Sequence, residues 1–314
     1  MKVKRKNISL LLGNGPNRSN DSGVSWHQVL QQLALFSNSK SVLKNSEIKP
    51  FPLLYEELAV RCVRNGKMES DLKKRVAILM KEMAPNGIHG RIANAGFKHI
   101  MTTNYDYCLE TAANETVTPA NIREENRYNL FRRRQVSNTT VWHIHGEIDK
   151  PRTITLGHDH YVGYLQKIKE YLVWERKNIS QDFAERHSPF MQKQIDFDHH
   201  EDMSHSWVDV FLRDDIHIFG FGLDYSEIDL WWLLIFKEKQ KLKARKYTSL
   251  PAFGATWFYN IYEEPLSKLT LGKLSILESI GVQIINIEVD RGYERAYHTA
   301  FSQLIENAQQ PGEH

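Results

Sequence analysis

Short apolar segments alternate with helical patterns along most of this 314-residue chain, and this alternation restricts the fold more than any other feature. Residues 8–12 form an apolar run that ends in glycines, and residues 24–36 then place apolar side chains at helical spacing. Further strands are predicted at 98–102, 139–144, 153–156, 216–219, 255–262 and 282–287. Such strands lack a polar face. They predict an α/β fold, a doubly wound, mostly parallel Rossmann-like sheet with helices on both faces.

Two helical stretches interrupt this order of strands and helices. Residues 51–95 hold successive helical patterns, and residues 159–204 are polar and rich in histidine, with no clear strand. We therefore predict one Rossmann-like domain made of residues 1–158 and 205–314, with 51–95 inserted as helices and 159–204 inserted as helix and loop. Residues 153–156 are expected to form an edge strand of the sheet.

Composition and charge exclude several classes of protein. The 41 basic and 38 acidic residues nearly balance, so the net charge of +3 argues neither for nor against nucleic acid. Cys62 and Cys108 are too few for a four-cysteine zinc site or a disulfide framework, and sparse thiols fit the reducing cytoplasm. The apolar stretch 228–236 contains Asp229 and is too short to cross a membrane. We expect a cytoplasmic protein that does not bind membranes.

Several catalytic motifs are absent from the sequence. It has no Gly-x-Ser-x-Gly, no Gly-x4-Gly-Lys-Ser/Thr and no His-Glu-x-x-His, which excludes simple esterases, nucleoside triphosphatases and zinc proteases. No metal is expected, because the histidines lack the spacing of zinc motifs both in 196–205 and in the set His143, His145, His158 and His160. The basic run 132–134 is left open as a contact for nucleic acid or a phosphate-bearing ligand, although direct nucleic-acid binding is not expected of the chain.

Polar residues and glycines follow four of the predicted strands. These segments are Gly13-Asn14-Gly15, Thr102-Thr103-Asn104-Tyr105-Asp106, His145-Gly146 and Gly220-Phe221-Gly222. Since the carboxyl ends of parallel strands meet at one edge, where α/β proteins bind ligands, the four segments are expected to converge. The first glycine loop suits a phosphate. However, Arg18 stands where dehydrogenases have a third glycine, and residues 31–37 contain no acid, so nucleotide binding is expected without hydride transfer.

Structural roles for the same residues remain open at this point. Gly13 and Gly15 could form a turn that binds no ligand. Asn104 and Asp106 precede a short helix, where both residue types commonly act as caps. His145 lies near a strand end, where many histidines are structural. The convergence of four such segments is what favours a binding site over these alternatives.

Taken in order, these segments resemble the sirtuin family of NAD-consuming proteins. The similar motifs are the first glycine loop Gly13-Asn14-Gly15, Thr103-Asn104-Tyr105-Asp106 for Gln-Asn-x-Asp, His145-Gly146 for the catalytic His-Gly, the second glycine loop Gly220-Phe221-Gly222, and Ile285-Asn286-Ile287-Glu288 in the last strand. The four-cysteine zinc module of deacylating sirtuins is missing, and Gly222-Leu223-Asp224 replaces Gly-Thr-Ser. These departures resemble the zinc-less bacterial branch of antiphage defence, whose members hydrolyse NAD.

The resemblance implies an NAD glycohydrolase that depletes NAD in antiviral defence, with NAD as its substrate. It implies that Asn104 orients the attacking water and the ribose hydroxyls and that His145 accepts a proton. It also implies a set of NAD-binding residues, namely Gly13, Asn14, Gly15, Thr103, Asp106, Gly220, Gly222 and Asn286. Asp106 is expected at the carboxamide, the glycines at the pyrophosphate and Asn286 at the adenine-side ribose. A homo-oligomer is expected, with a partner defence protein such as an ATPase, a nucleic-acid sensor or a phage component.

The chemistry of NAD cleavage is compatible with these residues. Nicotinamide leaves as a neutral molecule and needs no general acid, unlike the leaving group of an ordinary glycosidase. Two alternatives stay open. One is a protein deacylase or ADP-ribosyltransferase, and the missing zinc module weighs against the deacylase. The other is a catalytically silent subunit that senses NAD or ADP-ribose. The presence of Asn104 together with His145 weighs against that reading, because a pure binder needs no base.

Overall fold

The structure, a computed structural model, describes residues 7–19, 25–114, 127–173, 206–244 and 253–309. Seven strands lie in these ranges: β1 (Ile8–Leu12), β2 (His99–Thr102), β3 (Arg134–Val136), β4 (Thr139–His143), β5 (Asp215–Phe219), β6 (Thr256–Tyr262) and β7 (Gln283–Glu288). They form one sheet in the order β3-β4-β2-β1-β5-β6-β7. Only β3 runs antiparallel to its neighbour, β4, and the other described pairings are parallel. The predicted α/β, mostly parallel Rossmann-like sheet is confirmed.

Helices cover both faces of this sheet. Those in the described ranges are α1 (Trp26–Phe36), α2 (Phe51–Arg64), α3 (Glu69–Lys81), α4 (Gly87–Ala93), α5 (Cys108–Ala112), α6 (His158–Val173), α7 (Trp207–Arg213), α8 (Ile228–Ala244), α9 (Lys268–Ser279) and α10 (Tyr293–Gln309). Successive side chains of a strand point to opposite faces. Accordingly, Leu11 packs in a core with α6 to α9, while Leu10 and Leu12 pack in another with α4, α5 and α10. None of these helices is long and apolar enough to span a bilayer.

A third core lies beyond the carboxyl ends of β2 and β4. It joins α1, α2 and α3 to Tyr105, which follows β2, and to Ile148, which follows β4. Helix α1 begins after Ser25, whose hydroxyl accepts from the Gln28 amide while the Gln28 side chain accepts from the Ser25 amide. This reciprocal cap fixes where the helix starts. Helices α2 to α4 fall within residues 51–95, and the division into one domain with two insertions stays a prediction.

The edge strand assigned from the sequence was wrong, and the strand at that edge was missed. Residues 153–156 do not form a strand: a 3₁₀ turn spans Pro151–Thr153, and the backbone beyond it binds the Lys73 side chain and the His145 carbonyl instead of a neighbouring strand. The edge strand is β3, which includes Arg134 of the basic run. The sequence did not predict this strand, because Arg134 is charged and its burial depends on carboxylates elsewhere in the chain.

Candidate functional site

The strand register aligns the four polar and glycine segments along one edge of the sheet. Leu12 is opposite Thr102 in β2 and Phe219 in β5, so the residue after it, Gly13, lies between Thr103 and Gly220. Thr102 is in turn opposite His143 of β4, which brings the following segment to the same edge. Because the carboxyl ends of parallel strands form the usual ligand crevice of such folds, this edge is the candidate site.

The two glycine loops are bonded to each other by their backbones. The amide of Gly13 donates to the carbonyl of Phe219 at 3.0 Å, and the amide of Gly15 donates to the carbonyl of Gly220 at 2.7 Å. A Cβ atom on Gly13 would lie 2.6 Å from the Gly220 oxygen. This close approach explains why a glycine is needed at position 13. The amides of Gly13 and Gly15 both donate to protein carbonyls. Their expected contact with a pyrophosphate stays a prediction.

Gly222 differs from the other glycines of these loops. It is exposed, and a Cβ atom placed on it would meet no heavy atom within 4 Å among the described residues. Packing therefore does not explain this glycine, whereas it explains Gly13 and Gly220. Close approach of a ligand to its backbone remains the role expected from the sequence.

Asn17 connects the first glycine loop to Asp106 and was missed by the sequence reasoning. Its side-chain amide donates to Asn14 Oδ1 at 2.9 Å and to Asp106 Oδ2 at 2.8 Å. The other Asp106 oxygen accepts from the Cys108 amide at 3.0 Å, at the start of α5. Asp106 therefore caps the start of α5, which is the structural role left open for it in the sequence analysis. The side-chain oxygen of Asn17, Oδ1, is buried with no partner among the described residues, so this network has one acceptor that receives no hydrogen bond.

Asn104 joins three of the strand ends. Its side-chain amide donates to the Gly13 carbonyl at 3.2 Å, and its backbone amide donates to Thr102 Oγ1 at 3.0 Å. Its own carbonyl lies 3.0 Å from His143 Nδ1. Asn104 is 8% exposed, so little of the side chain reaches solvent. Next to it, the Thr103 amide donates to the Leu12 carbonyl at 3.2 Å.

His145 forms a buried pair with Asp229, from the first turn of α8. The distance between Nε2 and Oδ2 is 2.8 Å, and the two side chains are 2% and 0% exposed. The rings of Tyr161 and Tyr164 lie nearly perpendicular to the imidazole, with centroids 5.4 Å and 5.8 Å away. A carboxylate only accepts hydrogen bonds, so Nε2 carries the shared proton and Nδ1 is left as the acceptor.

Asp229 was not predicted as a site residue, although a signal was present. It is the one acidic residue in the apolar stretch 228–236, and a charge in such a stretch requires a buried partner. Its partner His145 lies 84 positions earlier in the chain, which the sequence alone does not indicate. The second Asp229 oxygen is buried without a partner in the described ranges.

Beside this pair, His143 is bound to Glu110 of α5. His143 Nε2 lies 2.9 Å from Glu110 Oε1, and both side chains are buried. Burial lowers the pKa of His143, but the Glu110 carboxylate, and then Glu147, raise it, and the net pKa is above the usual imidazole value. The pair holds α5, and with it the segment of Asn104, against β4.

The free energy of unfolding is expected to decrease as the pH rises above about 6.5, owing to His143. A group whose pKa is higher in the folded state stabilises the protein when protonated. Its contribution is complete below the unfolded pKa and is lost as the pH rises through the folded pKa. Urea unfolding over this range measures the decrease. In Glu110→Gln, burial is no longer offset by that carboxylate, and we expect this component of the decrease to disappear; an unchanged pH dependence would refute the assignment.

Three of the four histidines considered as metal ligands have separate partners. His143 and His145 pair with different carboxylates, and His160 Nδ1 accepts from the Gly157 amide at 2.9 Å while its Nε2 lies 3.0 Å from Glu69. Within the described ranges, no group of three or more His, Cys, Asp or Glu residues is arranged to hold a metal ion. The segment 196–205 lies outside those ranges.

Two of the three arginines in the basic run 132–134, whose role as a contact for nucleic acid or phosphate the sequence left open, are buried. Arg132 and Arg134 are 2% and 3% exposed, and both face Glu147, with Arg134 at 2.9 Å from its carboxylate. Arg133 lies over the Trp142 ring, 5.3 Å from its centroid. A buried carboxylate between two guanidinium groups holds the edge strand β3 to the segment that follows β4.

Asn286 lies apart from the other predicted site residues. It is exposed on β7, and its Oδ1 accepts from Asn260 of β6 at 2.9 Å. The two residues are paired in the register of β6 and β7, and two strands, β5 and β6, separate β7 from β1 in the sheet. Asn286 lines an open cavity of about 340 Å³ together with Glu288, Asp290 and Arg295. The structure therefore brings Gly13, Asn104, Asp106 and Gly220 together through direct contacts or Asn17, and leaves Asn286 at the far end of the same edge.

Comparison with known families adds one match. Residues 98–249 match the family model described as the SIR2-like domain. The matched segment begins just before β2 and contains Asn104, His145, the second glycine loop and Asp229, while Gly13 and Asn286 lie outside it. No curated protein matches the chain.

Proposed function

Because this chain is sirtuin-like, with a SIR2-like domain that supports an NAD-related function, we propose that it is an NAD hydrolase that releases nicotinamide and ADP-ribose. The observation that carries the proposal is the buried pair of His145 Nε2 and Asp229 Oδ2 at 2.8 Å, on the edge of the sheet that also holds Asn104. A histidine whose tautomer is fixed by a carboxylate is prepared to take up a proton at its other nitrogen.

The proposed reaction breaks the bond between the ribose C1′ and the nicotinamide nitrogen. The electron pair of that bond leaves with the pyridinium nitrogen, so nicotinamide departs neutral, and a positive charge develops on the ribose. Water adds to C1′, held by the Asn104 side chain, and His145 Nδ1 accepts the proton that the water loses. Asp229 then faces the protonated imidazole and stabilises its charge. No acyl-peptide takes part in this reaction.

The burial of the two catalytic candidates supports an enzyme that is restrained until its site opens. His145 is 2% exposed and Asn104 is 8% exposed, so NAD reaches them only after the surrounding side chains move. Restraint is what an NAD-depleting enzyme of antiviral defence requires, because constant activity would exhaust the cell's NAD. We include that role, a homo-oligomer and a partner defence protein in the proposal. Nicotinamide release by the isolated chain at a full, unstimulated rate would refute the restraint.

The experiment that tests the proposal is the measurement of nicotinamide release from NAD by the purified full chain, with and without an acyl-lysine peptide. Release in the absence of the peptide, with ADP-ribose formed in equal amount, supports the hydrolase. Release that depends on the peptide, or ADP-ribose transferred to a protein, would support the deacylase or transferase instead. Tight NAD binding without turnover under any of these conditions would support a sensing subunit.

Substitution of Asp229 by asparagine is expected to lower kcat by roughly ten- to a hundredfold, with little change in KM for NAD. The asparagine amide can donate to His145 Nε2, which moves the ring proton to Nδ1 and removes the acceptor that the reaction needs. Steady-state kinetics with NAD measure the effect. Asp229 is a positioning residue, so urea unfolding is measured in parallel to separate its catalytic role from its stabilising one.

The matched control for this variant is Asp159→Asn. Asp159 is also an aspartate in the first turn of a helix, α6, but it is exposed and is not paired with His145. Both variants remove one negative charge from a helix N-terminus. Equal effects of the two substitutions on kcat would show that Asp229 acts through the helix and not through His145.

A further inference from the structure

A cavity lined by basic side chains lies beside the segment that follows β4, on the side of that segment away from His145. It has a volume of about 280 Å³ and is formed between the first turns of α3 and residues 149–152. Five cationic side chains line it, namely Lys73, Lys74, Arg127, Lys150 and Arg152. None of the residues proposed to act in NAD cleavage lines this cavity, which we call the basic cavity.

The two acids at the basic cavity are bound to other groups. Glu69 lies 3.0 Å from His160 Nε2 and accepts from the Tyr55 hydroxyl, and the hydrogen bond from His160 is the main reason that the pKa of Glu69 is lowered to about 2. Asp149 lies 3.7 Å from Arg134. In the described part of the chain, no carboxylate lies within 4.0 Å of the charged groups of Lys150 or Arg152. The cavity therefore has an excess of positive charge.

Lys73 is the buried member of this group of positive charges. It is 2% exposed, and its ammonium donates to the Ile154 carbonyl at 2.9 Å. Burial, followed by the neighbouring positive charge of Arg127, lowers the pKa of Lys73 to about 8, against smaller opposing effects of Glu69, Glu56 and Asp159. A buried ammonium has three N–H donors and requires compensation by acceptors or by negative charge. An anion in the basic cavity would supply both.

We propose that the basic cavity binds a small phosphorylated molecule, with its phosphate groups between Lys73, Lys150 and Arg152. Arginine binds phosphate through its planar fork of donors and lysine binds it as a compact charge, so the cavity offers both modes of recognition. The site is separated from His145 by one backbone segment. Ile154 accepts from Lys73, whereas the next residue, Thr155, donates its amide to the His145 carbonyl at 2.9 Å.

The test is calorimetric titration of the full chain with inorganic pyrophosphate at low ionic strength. We expect one binding site in the parent protein and roughly tenfold or greater weakening in the double variant Lys150→Gln/Arg152→Gln, since each exposed cation contributes charge-assisted hydrogen bonds. Both residues are exposed, so the double variant is expected to fold. Lys73→Gln should weaken binding at least as much, and its unfolding is measured alongside. The exposed Lys169→Gln, on α6, is the matched control and should bind like the parent.

Three results would overturn the proposal. Pyrophosphate that binds the double variant as tightly as the parent protein does not occupy the basic cavity. Failure of the parent protein to bind pyrophosphate at millimolar concentration would show that the excess charge is not a phosphate site. Asn104→Ala is included because it alters the edge of the sheet: loss of binding in that variant alone would move the site there. Because binding is the readout, these outcomes are independent of NAD hydrolysis.

Discussion

Alanine in place of His145 is expected to slow nicotinamide release from NAD by about 10²–10⁴-fold, the range over which a positioned general base accelerates a reaction. The imidazole is the group that Asp229 orients through the 2.8 Å hydrogen bond, and alanine leaves no acceptor for the proton of the attacking water. Single-turnover assays with excess protein measure the chemical step, and NAD binding is measured on the same samples. We expect binding to persist in the variant.

Asn104→Ala should show the same loss of activity by a different route. The substitution removes the side-chain amide that donates to the Gly13 carbonyl at 3.2 Å, and with it the group proposed to hold the water. The exposed His158→Ala serves as the control for loss of a histidine and should leave nicotinamide release unchanged. Nicotinamide release that persists in both His145→Ala and Asn104→Ala would contradict the assignment of these two residues to the catalytic site.

The largest effect on stability is expected from Gly220→Ala, at about 2–5 kcal/mol. Gly220 has a φ of 62°, a left-handed conformation that costs an L-residue roughly 1–2 kcal/mol. A Cβ atom there would also lie 2.3 Å from Pro16 Cδ, and crowding of this kind typically costs about 1–3 kcal/mol. The strain would also weaken the bond from the Gly15 amide to the Gly220 carbonyl. Urea unfolding of the variant and the parent protein measures the difference.

Gly222→Ala, two positions along the same loop, is the matched control for stability. Its added methyl group meets open space, so the free energy of unfolding should change by less than about 1 kcal/mol. If both substitutions destabilise the protein equally, the close contact between the two glycine loops is not what requires a glycine at position 220. If Gly222→Ala is stable but binds NAD more weakly, the expected approach of a ligand to this backbone gains support.

The strands were predictable where burial on both faces makes the sequence mostly apolar. Residues 8–12 and 216–219 are of this kind, apart from Ser9 and His217, and their assignments are confirmed by β1 and β5. The edge strand β3 was not predictable from local pattern, because its one arginine, Arg134, is buried against Glu147, which follows a different strand. Residues 153–156, Thr-Ile-Thr-Leu, combine β-branched side chains with the alternation of a strand, but their backbone is bound by a lysine side chain and a loop carbonyl.

The candidate site was predictable only in part, for a similar reason. Glycine loops and polar residues at strand ends are local features, and parallel pairing then brings them to one edge. The partners that complete the site come from far along the chain: Asn17 meets Asp106 across 89 positions, and His145 meets Asp229 across 84. A side chain that acts by contact with a distant residue leaves no periodic pattern in the sequence, so such pairs emerge only with the tertiary structure.

For an enzyme with the proposed function, the enclosure of Asn104 and His145 also affects how the occupancy of the site depends on the NAD concentration. When only a fraction of the molecules has an accessible site, the apparent Kd is the intrinsic Kd divided by that fraction. An accessible population of one molecule in roughly a hundred would raise the apparent Kd about a hundredfold. At a fixed NAD concentration, occupancy would then follow the accessible population instead of the supply of substrate. A binding event that shifts this equilibrium by about 2.7 kcal/mol would make about half of the molecules accessible and bring the apparent Kd to within about twofold of the intrinsic Kd, with no change in any residue that touches NAD.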